Sequence, residues 1–217
     1  MSVIDDWLQY YPSLLSGLWV SVRLAGLSLC IGLPLGLPFA LGSGARSRPL
    51  RLCTIALVEI GRGIPALVVL QLVYFGLPSV HLTLSSFVAA TVALALTTAA
   101  YTSEILRGGL QAVPAGEVEA AHALGMSQRD TLRFIVLPQG IRVAIPPLMG
   151  LSILIFQATS LAYTIALPEL LSQAYSVGSA TFRYMSILGL AGLFYAAITI
   201  PASWLSERAE KRMARHL

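Results

Sequence analysis

The sequence predicts an all-α integral membrane protein with five membrane-spanning helices, and three observations carry that reading. Hydrophobic residues make up 56% of the chain and charged ones only 11%, whereas a soluble domain carries roughly a quarter charged. No Asp, Glu, Lys or Arg occurs in 24–45, 63–103, 143–168 or 184–206. The basic residues gather in three segments that fall on alternate connections between the apolar runs.

A bilayer-spanning helix needs about 20 mostly apolar residues. The stretch 63–103 is about twice that length, and the turn-like Gly76-Leu-Pro-Ser-Val-His81 divides it. The predicted helices are therefore 15–41, 52–76, 85–106, 142–167 and 184–206, in a single transmembrane domain covering 1–217. The leader from Met1 to Tyr11 carries Asp5 and Asp6 and no base, the reverse of a signal peptide's positive start. The first apolar run is expected to stay as a span. After it come Arg46, Arg48 and Arg51. The third connection holds Arg107, Arg129, Arg133 and Arg142, and the tail holds Arg208, Lys211, Arg212 and Arg215. These eleven of the fourteen basic residues lie on one side of a five-helix chain. The positive-inside rule then puts the N-terminus outside and the C-terminus in the cytoplasm. The basic pI is a topology signal, and no aromatic-interleaved basic patch points to nucleic acid.

The residues exclude most chemistry. Lys211 is the only lysine and Glu210 precedes it, so there is no phosphate-binding Gly-Lys-Ser/Thr loop for ATP. His81, His122 and His216 are scattered without metal-ligand spacing. No Gly-x-Ser-x-Gly and no Cys/His pair supplies a nucleophile. Cys30 and Cys53 are expected to be small buried packing residues. The chain should carry no cofactor and catalyse no reaction itself, which leaves transport or channel activity.

The connection from about 107 to 141 is the longest polar segment. Pro114 can begin a helix, and Gly116-Glu-Val-Glu-Ala-Ala-His-Ala-Leu forms a short one. Gly125 sits where a helix C-terminus favours a residue of positive φ. Ser127 can cap a second short helix, with Asp130 near its N-terminal dipole and Leu137-Pro138 ending it. Ala120, Ala121 and Ala123 make the first helix thin enough to enter another protein's groove.

Glu119-Ala120-Ala121, then Gly125, then Ile135-x-Leu137-Pro138 resembles the EAA loop of ABC-importer permeases. Flanking segments narrow the resemblance to the polar amino acid permeases, the histidine, glutamine, glutamate/aspartate and arginine type. These are Ala100-Tyr-Thr-Ser-Glu-Ile-Leu-Arg-Gly-Gly109, Arg62-Gly-Ile-Pro65, Tyr74-Phe-Gly-Leu-Pro78 and Thr159-Ser-Leu161. The similarity runs from about 15 to 204. It implies a type I ABC-importer permease core in a bacterial inner membrane. A polar or charged amino acid, or another small polar solute, would cross through a pair of permease subunits, identical or paralogous. Two ATP-binding subunits would accept the EAA-loop helix, and an external binding protein would deliver the ligand. Gly116, Glu119, Ala120, Ala121, Gly125, Ile135, Leu137 and Pro138 are the implied coupling residues.

Polar residues inside apolar spans are the candidates for the substrate pathway. Glu59 and Arg62 stand one turn apart on the second span, with Arg62 about 16 Å along it. Gly61-Arg-Gly-Ile-Pro65 is a poor helix, and transporters place broken backbone where it lines a cavity. A self-neutralising pair, an Arg snorkelling to the interface and a ligand contact all fit. Glu104 and Arg107 form a second, shallower pair suited to anchoring or gating. Gln157, Thr159 and Ser160 put three polar side chains in the fourth span, for ligand contact or for bonding between helices. Members of the resembled family usually carry a polar or acidic residue before Thr-Ser-Leu, and here it is Ala158. A ligand contact at that position would then come from a partner subunit, which favours a heterodimer. A self-contained channel or secondary transporter would need a selectivity filter or charge relay, and an assembly protein would not need the docking loop.

Overall fold

The first apolar run folds as one helix, α1 (Val3–Ser43), that begins a dozen residues before the predicted span. Asp5 and Asp6 occupy its first turn, where negative charge complements the helix dipole. The computed structural model describes residues 3–213. Arg215 and His216, named above in the basic tail and among the scattered histidines, lie outside the described residues. At 1.5 Å per residue α1 is about 60 Å long, against about 30 Å of hydrocarbon. Ser28, Gly32 and Gly36 lie on its buried face. A Cβ on Gly32 would stand 2.5 Å from Cβ of Thr98, and one on Gly36 2.5 Å from Cβ of Thr102. Small residues let the backbones approach this closely where no water-driven force pushes membrane helices together.

The second span departs from the prediction. Residues 52–76 do not form one straight helix. Helix α2 (Arg48–Gly63) meets the helical segment Ala66–Val80, which begins as α3 (Ala66–Gln71), at 102°. The bend follows from Pro65, which has no N–H to continue the ladder and forces the residue before it out of the helical region. Ile64 is extended accordingly, at φ −88° and ψ 128°. A π-turn (Leu72–Gly76) and a 3-10 turn (Leu77–Val80) continue α3 to the outer turn. Helix α4 (Ser86–Gln111) is the most buried helix, rich in Ala and Thr and capped by Ser85.

The connecting loop contains α5 (Ala115–Ala123) and α6 (Gln128–Thr131). Pro138 does not end the second loop helix as expected. A π-turn (Leu132–Val136) leads straight into α7 (Leu137–Ala158), and Pro138 stands in that helix's first turn, where a missing N–H costs little. The helical path then runs unbroken through 128–165. A 3-10 segment (Thr159–Ile165) closes the fourth span, and Ala166 turns the chain at φ 55°. The expected connection 168–183 contains an additional helix, α8 (Leu170–Thr181), before α9 (Tyr184–Met213). Cys30 and Cys53 are exposed on the chain surface and are not the buried packing residues expected.

Among the described residues four helices are long and apolar enough to cross a membrane, or five if the bent α2–α3 pair is one span. One apolar core joins α1, α3 and α4 to the 3-10 segment around Leu24, Leu70, Leu94 and Ile165. A second joins α1, α8 and α9 around Leu14, Leu170 and Ile187. The first core backs the α2–α3 bend and the 3-10 segment.

Candidate functional site

Glu59 and Arg62 project from the last turns of α2 toward α4, where Gly61 packs so closely that a Cβ would lie 2.8 Å from that of Ala100. The two charge pairs expected at different depths form one cluster. Arg62 Nη1 lies 3.1 Å from Glu104 Oε2 and 3.7 Å from Glu59 Oε1. Arg107 donates to both oxygens of the same Glu104, from Nη2 at 2.7 Å and Nε at 3.0 Å. The principal partner of Arg62 is thus Glu104, across the helix interface, and Glu104 stands about 10 Å from the end of α4 that feeds the loop. The Arg62 guanidinium also lies 5.9 Å from the ring centre of Tyr101, whose hydroxyl donates to the Arg62 carbonyl at 3.5 Å. Arg62 Nε is buried and has no hydrogen-bond partner.

Beside Arg62 opens a cavity of about 360 Å³. The α2–α3 break forms one wall through Gly63, Ile64 and Pro65, and α7 forms the other through Leu151, Leu154 and Ala158. On the far side of the cluster Glu59, Glu104 and Arg107 border a separate cavity of about 70 Å³. Gln157, Thr159 and Ser160 do not line the larger chamber. Gln157 is exposed, while Thr159 is fully buried and donates to the Phe156 carbonyl at 2.7 Å. Ser160 donates to the Gln157 carbonyl at 2.8 Å. Both hydroxyls bond back into the preceding turn, where α7 passes into the 3-10 segment. Gln71 Nε2 donates to Thr164 Oγ1 at 2.9 Å, tying α3 to the 3-10 segment.

Glu169 is a residue that sequence reasoning treats only as the charge ending an apolar run. It is completely buried. Its carboxylate caps α8 by accepting from the backbone of Leu171 (2.9 Å) and Ser172 (2.7 Å), and it also accepts from Ser21 of α1 and Tyr195 of α9. It fastens α8 to both neighbouring helices. The only cue in the sequence is its place after Pro168, and Glu is a weak N-cap type.

The loop has the local geometry its sequence requires. Gly125 takes φ +78°. Its N–H donates to His122 at 2.9 Å, and the N–H of Met126 donates to Ala121 at 3.0 Å, the paired bonds of a Schellman cap. Ser127 accepts from the Asp130 N–H at 3.2 Å and donates to the Asp130 carboxylate at 2.6 Å. Gln139 of α7 donates to Glu117 of α5, tying the loop to its span. Ala121 is 2% exposed and lies on the inward face of this helix. The outward surface is Gly116, Glu119, Ala120 and Ala123, with Leu124 84% exposed at its tip. Ile135 and Leu137 are half-buried beneath it, and Pro138 is exposed.

Residues 32–215 match the family described as "binding-protein-dependent transport system inner membrane component". The chain is 34% identical to the probable amino-acid ABC transporter permease protein YckA of Bacillus subtilis (strain 168), over 97% of this chain and 93% of that one. It is 34% identical to the glutamine transport system permease protein GlnP of Escherichia coli (strain K12), over 96% and 97% of the two chains. Among solved structures, a chain from the crystal structure of an amino acid ABC transporter with histidines superposes at a TM-score of 0.93, with 32% identity over 98% and 99% of the two chains.

Proposed function

We propose, from the premise that the chain belongs to the family of binding-protein-dependent transport system inner membrane components, that it carries a polar or charged amino acid inward across a bacterial inner membrane. Its class is the amino-acid ABC importer permease, and its fold is that of a type I importer permease. The observation that carries the substrate reading is Arg62, a guanidinium beside a helix break and an otherwise uncharged chamber, with a buried donor left over. Guanidinium holds a carboxylate bidentately and stays charged at membrane depth. Gln157, Thr159 and Ser160 shape the passage from α7 into the 3-10 segment, which adjoins the chamber through Ala158. Glu59 and Glu104 balance Arg62 while the chamber is empty.

The exposed face of α5, with Glu119, Ala120 and the Leu124 tip, docks onto a separate ATP-binding subunit. Gly125 sets its angle, and Ile135, Leu137 and Pro138 connect it to α7. ATP is bound and hydrolysed on that partner. Two such subunits, a second permease chain and an external binding protein complete the importer. The basic connections face the cytoplasm and the N-terminus faces outward. Single cysteines at the exposed Ser79 and Ser47, in a background without Cys30 and Cys53, test that orientation. An impermeant thiol reagent on intact cells should modify Ser79→Cys alone, and modification of both would refute it.

The function is tested by reconstituting the chain in proteoliposomes with its partner ATPase and an external binding protein. Uptake of radiolabelled L-glutamine, L-arginine, L-histidine and L-glutamate is then measured separately. At least one should enter in an ATP-dependent manner, and replacing the P-loop lysine of the ATPase should stop it. Uptake that survives that replacement would identify a self-contained transporter.

A further inference from the structure

We propose that the groove between α7 and α9 binds an anionic phospholipid, with an acyl chain in the groove and the phosphate held by Arg142 and Arg212. This rests on the chain spanning a membrane and is independent of any ligand contact by Arg62. The groove has a volume of about 300 Å³. Met149, Ile153 and Phe156 of α7 line it together with Ile198, Ala202 and Leu205 of α9, and α1 lies behind them. The two hydroxyls in its walls are already used. Ser152 donates to the Leu148 carbonyl at 2.9 Å and Thr199 to the Tyr195 carbonyl at 3.0 Å. A hydrocarbon chain therefore fills the groove without stranding a polar group.

The groove lies on the side of α7 away from the chamber. Leu151, Leu154, Ile155 and Ala158 line the chamber, and the groove-lining residues of α7 stand on average about half a turn round the helix from them. This outer side runs along two spanning helices, where the bilayer itself supplies acyl chains.

One end of the groove carries positive charge. Arg142 precedes Met149 on α7 by seven residues, and Arg212 follows Leu205 on α9 by seven. Seven residues fall within about 20° of two full turns, so each arginine continues the lined face of its helix, about 10 Å further on. Ser206 Oγ donates to the Pro146 carbonyl at 3.4 Å and holds the two helices together at this end. Both arginines are exposed, and the ion pairs among the described residues involve neither of them. Glu207 and Glu210 stand about 160° and 140° round α9 from Leu205, away from the groove. The arginines lie at the basic, cytoplasmic end of the spans, where basic pockets between membrane helices take anionic headgroups. A phosphodiester there meets two guanidinium forks, each able to hold two of its oxygens. A zwitterionic headgroup gains less, because its own cation faces the same arginines.

Native mass spectrometry of the permease–ATPase complex in detergent, titrated with dioleoyl phosphatidylglycerol or dioleoyl phosphatidylcholine, tests this. The first phosphatidylglycerol on each permease chain should bind about thirtyfold more tightly than phosphatidylcholine, the contribution of two arginines at a membrane surface. Arg142→Gln combined with Arg212→Gln should remove that preference. Arg48→Gln combined with Arg51→Gln takes the same charge from the first connection and should keep it. Ala202→Phe, which fills the groove, should displace both lipids. Should Ala202→Phe fail to accumulate, Ala202→Leu takes its place with the same expectation. Equal binding of the two lipids, or loss of the preference in both double variants, would leave only diffuse surface charge and overturn the site. Phosphatidylglycerol retained at full affinity by the groove-filling variant would overturn the groove as its seat. An unmodified complex that binds no lipid, with its two permease chains separating in Ala202→Phe, would make the groove an interface between copies and overturn the proposal.

Discussion

In the loop between α4 and α7, the backbone bonds and caps join residues three to five positions apart, from Leu124 to Ala120, Gly125 to His122, Met126 to Ala121 and Asp130 to Ser127. Around Arg62 the decisive contacts cross between helices, to Glu104 and Tyr101 of α4 and across the cavity to α7. The first region is set by its own residues and presents an exposed surface. The second exists only once three helices have packed. The exposed loop can therefore be altered without disturbing the bundle, whereas a change at the chamber is felt by α2, α4 and α7 together.

The comparison breaks most visibly if the α1–α4 contact is forced apart. Gly36→Val would place new carbons against Thr102 where a single Cβ already lies 2.5 Å away. Overpacking of this kind costs about 1–3 kcal/mol, and the variant should show a lower melting temperature in detergent. An unchanged melting temperature would mean that the two helices do not pack as described. Next in size is Glu104→Gln, which leaves Arg62 with Glu59 alone at 3.7 Å. Glu104 is 21% exposed and Glu59 64%. The loss should be about 1–2 kcal/mol for Glu104→Gln and under about 0.5 kcal/mol for Glu59→Gln. Thermal unfolding of the two variants side by side checks the order, and the reverse order would return Arg62 to Glu59.

Gly125→Val should have a comparable but local effect, about 1–2 kcal/mol of strain at a left-handed position. Membrane levels should be unchanged while co-purification of the ATPase falls. Normal co-purification of a transport-competent complex would remove Gly125 from the coupling role. The smallest effect belongs to Ser127→Ala. It removes the cap of α6 at a cost of about 1 kcal/mol, expected as faster amide exchange at Asp130 and Thr131 with the spans unaffected.

These contrasts also explain what the residues reveal in advance. The spans follow from charge-free runs, and the loop follows from Pro114, Gly125 and Ser127 because caps are nearest-neighbour chemistry. The α2–α3 bend was half visible. Gly61, Gly63 and Pro65 mark a weak helix, but nothing local fixes an angle of 102°. Pro138 misleads because a proline that ends one helix can equally begin the next, and the π-turn before it decides. The pairing of Arg62 with Glu104, the burial of Glu169 and the existence of α8 depend on contacts between distant segments, which no local pattern encodes. The small-residue stripe Ser28, Gly32 and Gly36 was readable in principle, yet its partners Thr98 and Thr102 were not.

The most direct test of the central claim, that substrate contact and ATPase coupling reside in separable parts of one permease, compares Arg62→Met with Gly125→Val in the reconstituted importer. ATP-dependent uptake of the transported amino acid and the amount of bound ATPase are measured for each. Both variants should lose uptake. Arg62→Met should keep its ATPase and basal ATP hydrolysis, while Gly125→Val should lose the ATPase. Restored uptake in Arg62→Met combined with Glu104→Gln would reduce Arg62 to a counter-charge, and loss of the ATPase from both single variants would contradict the separation itself.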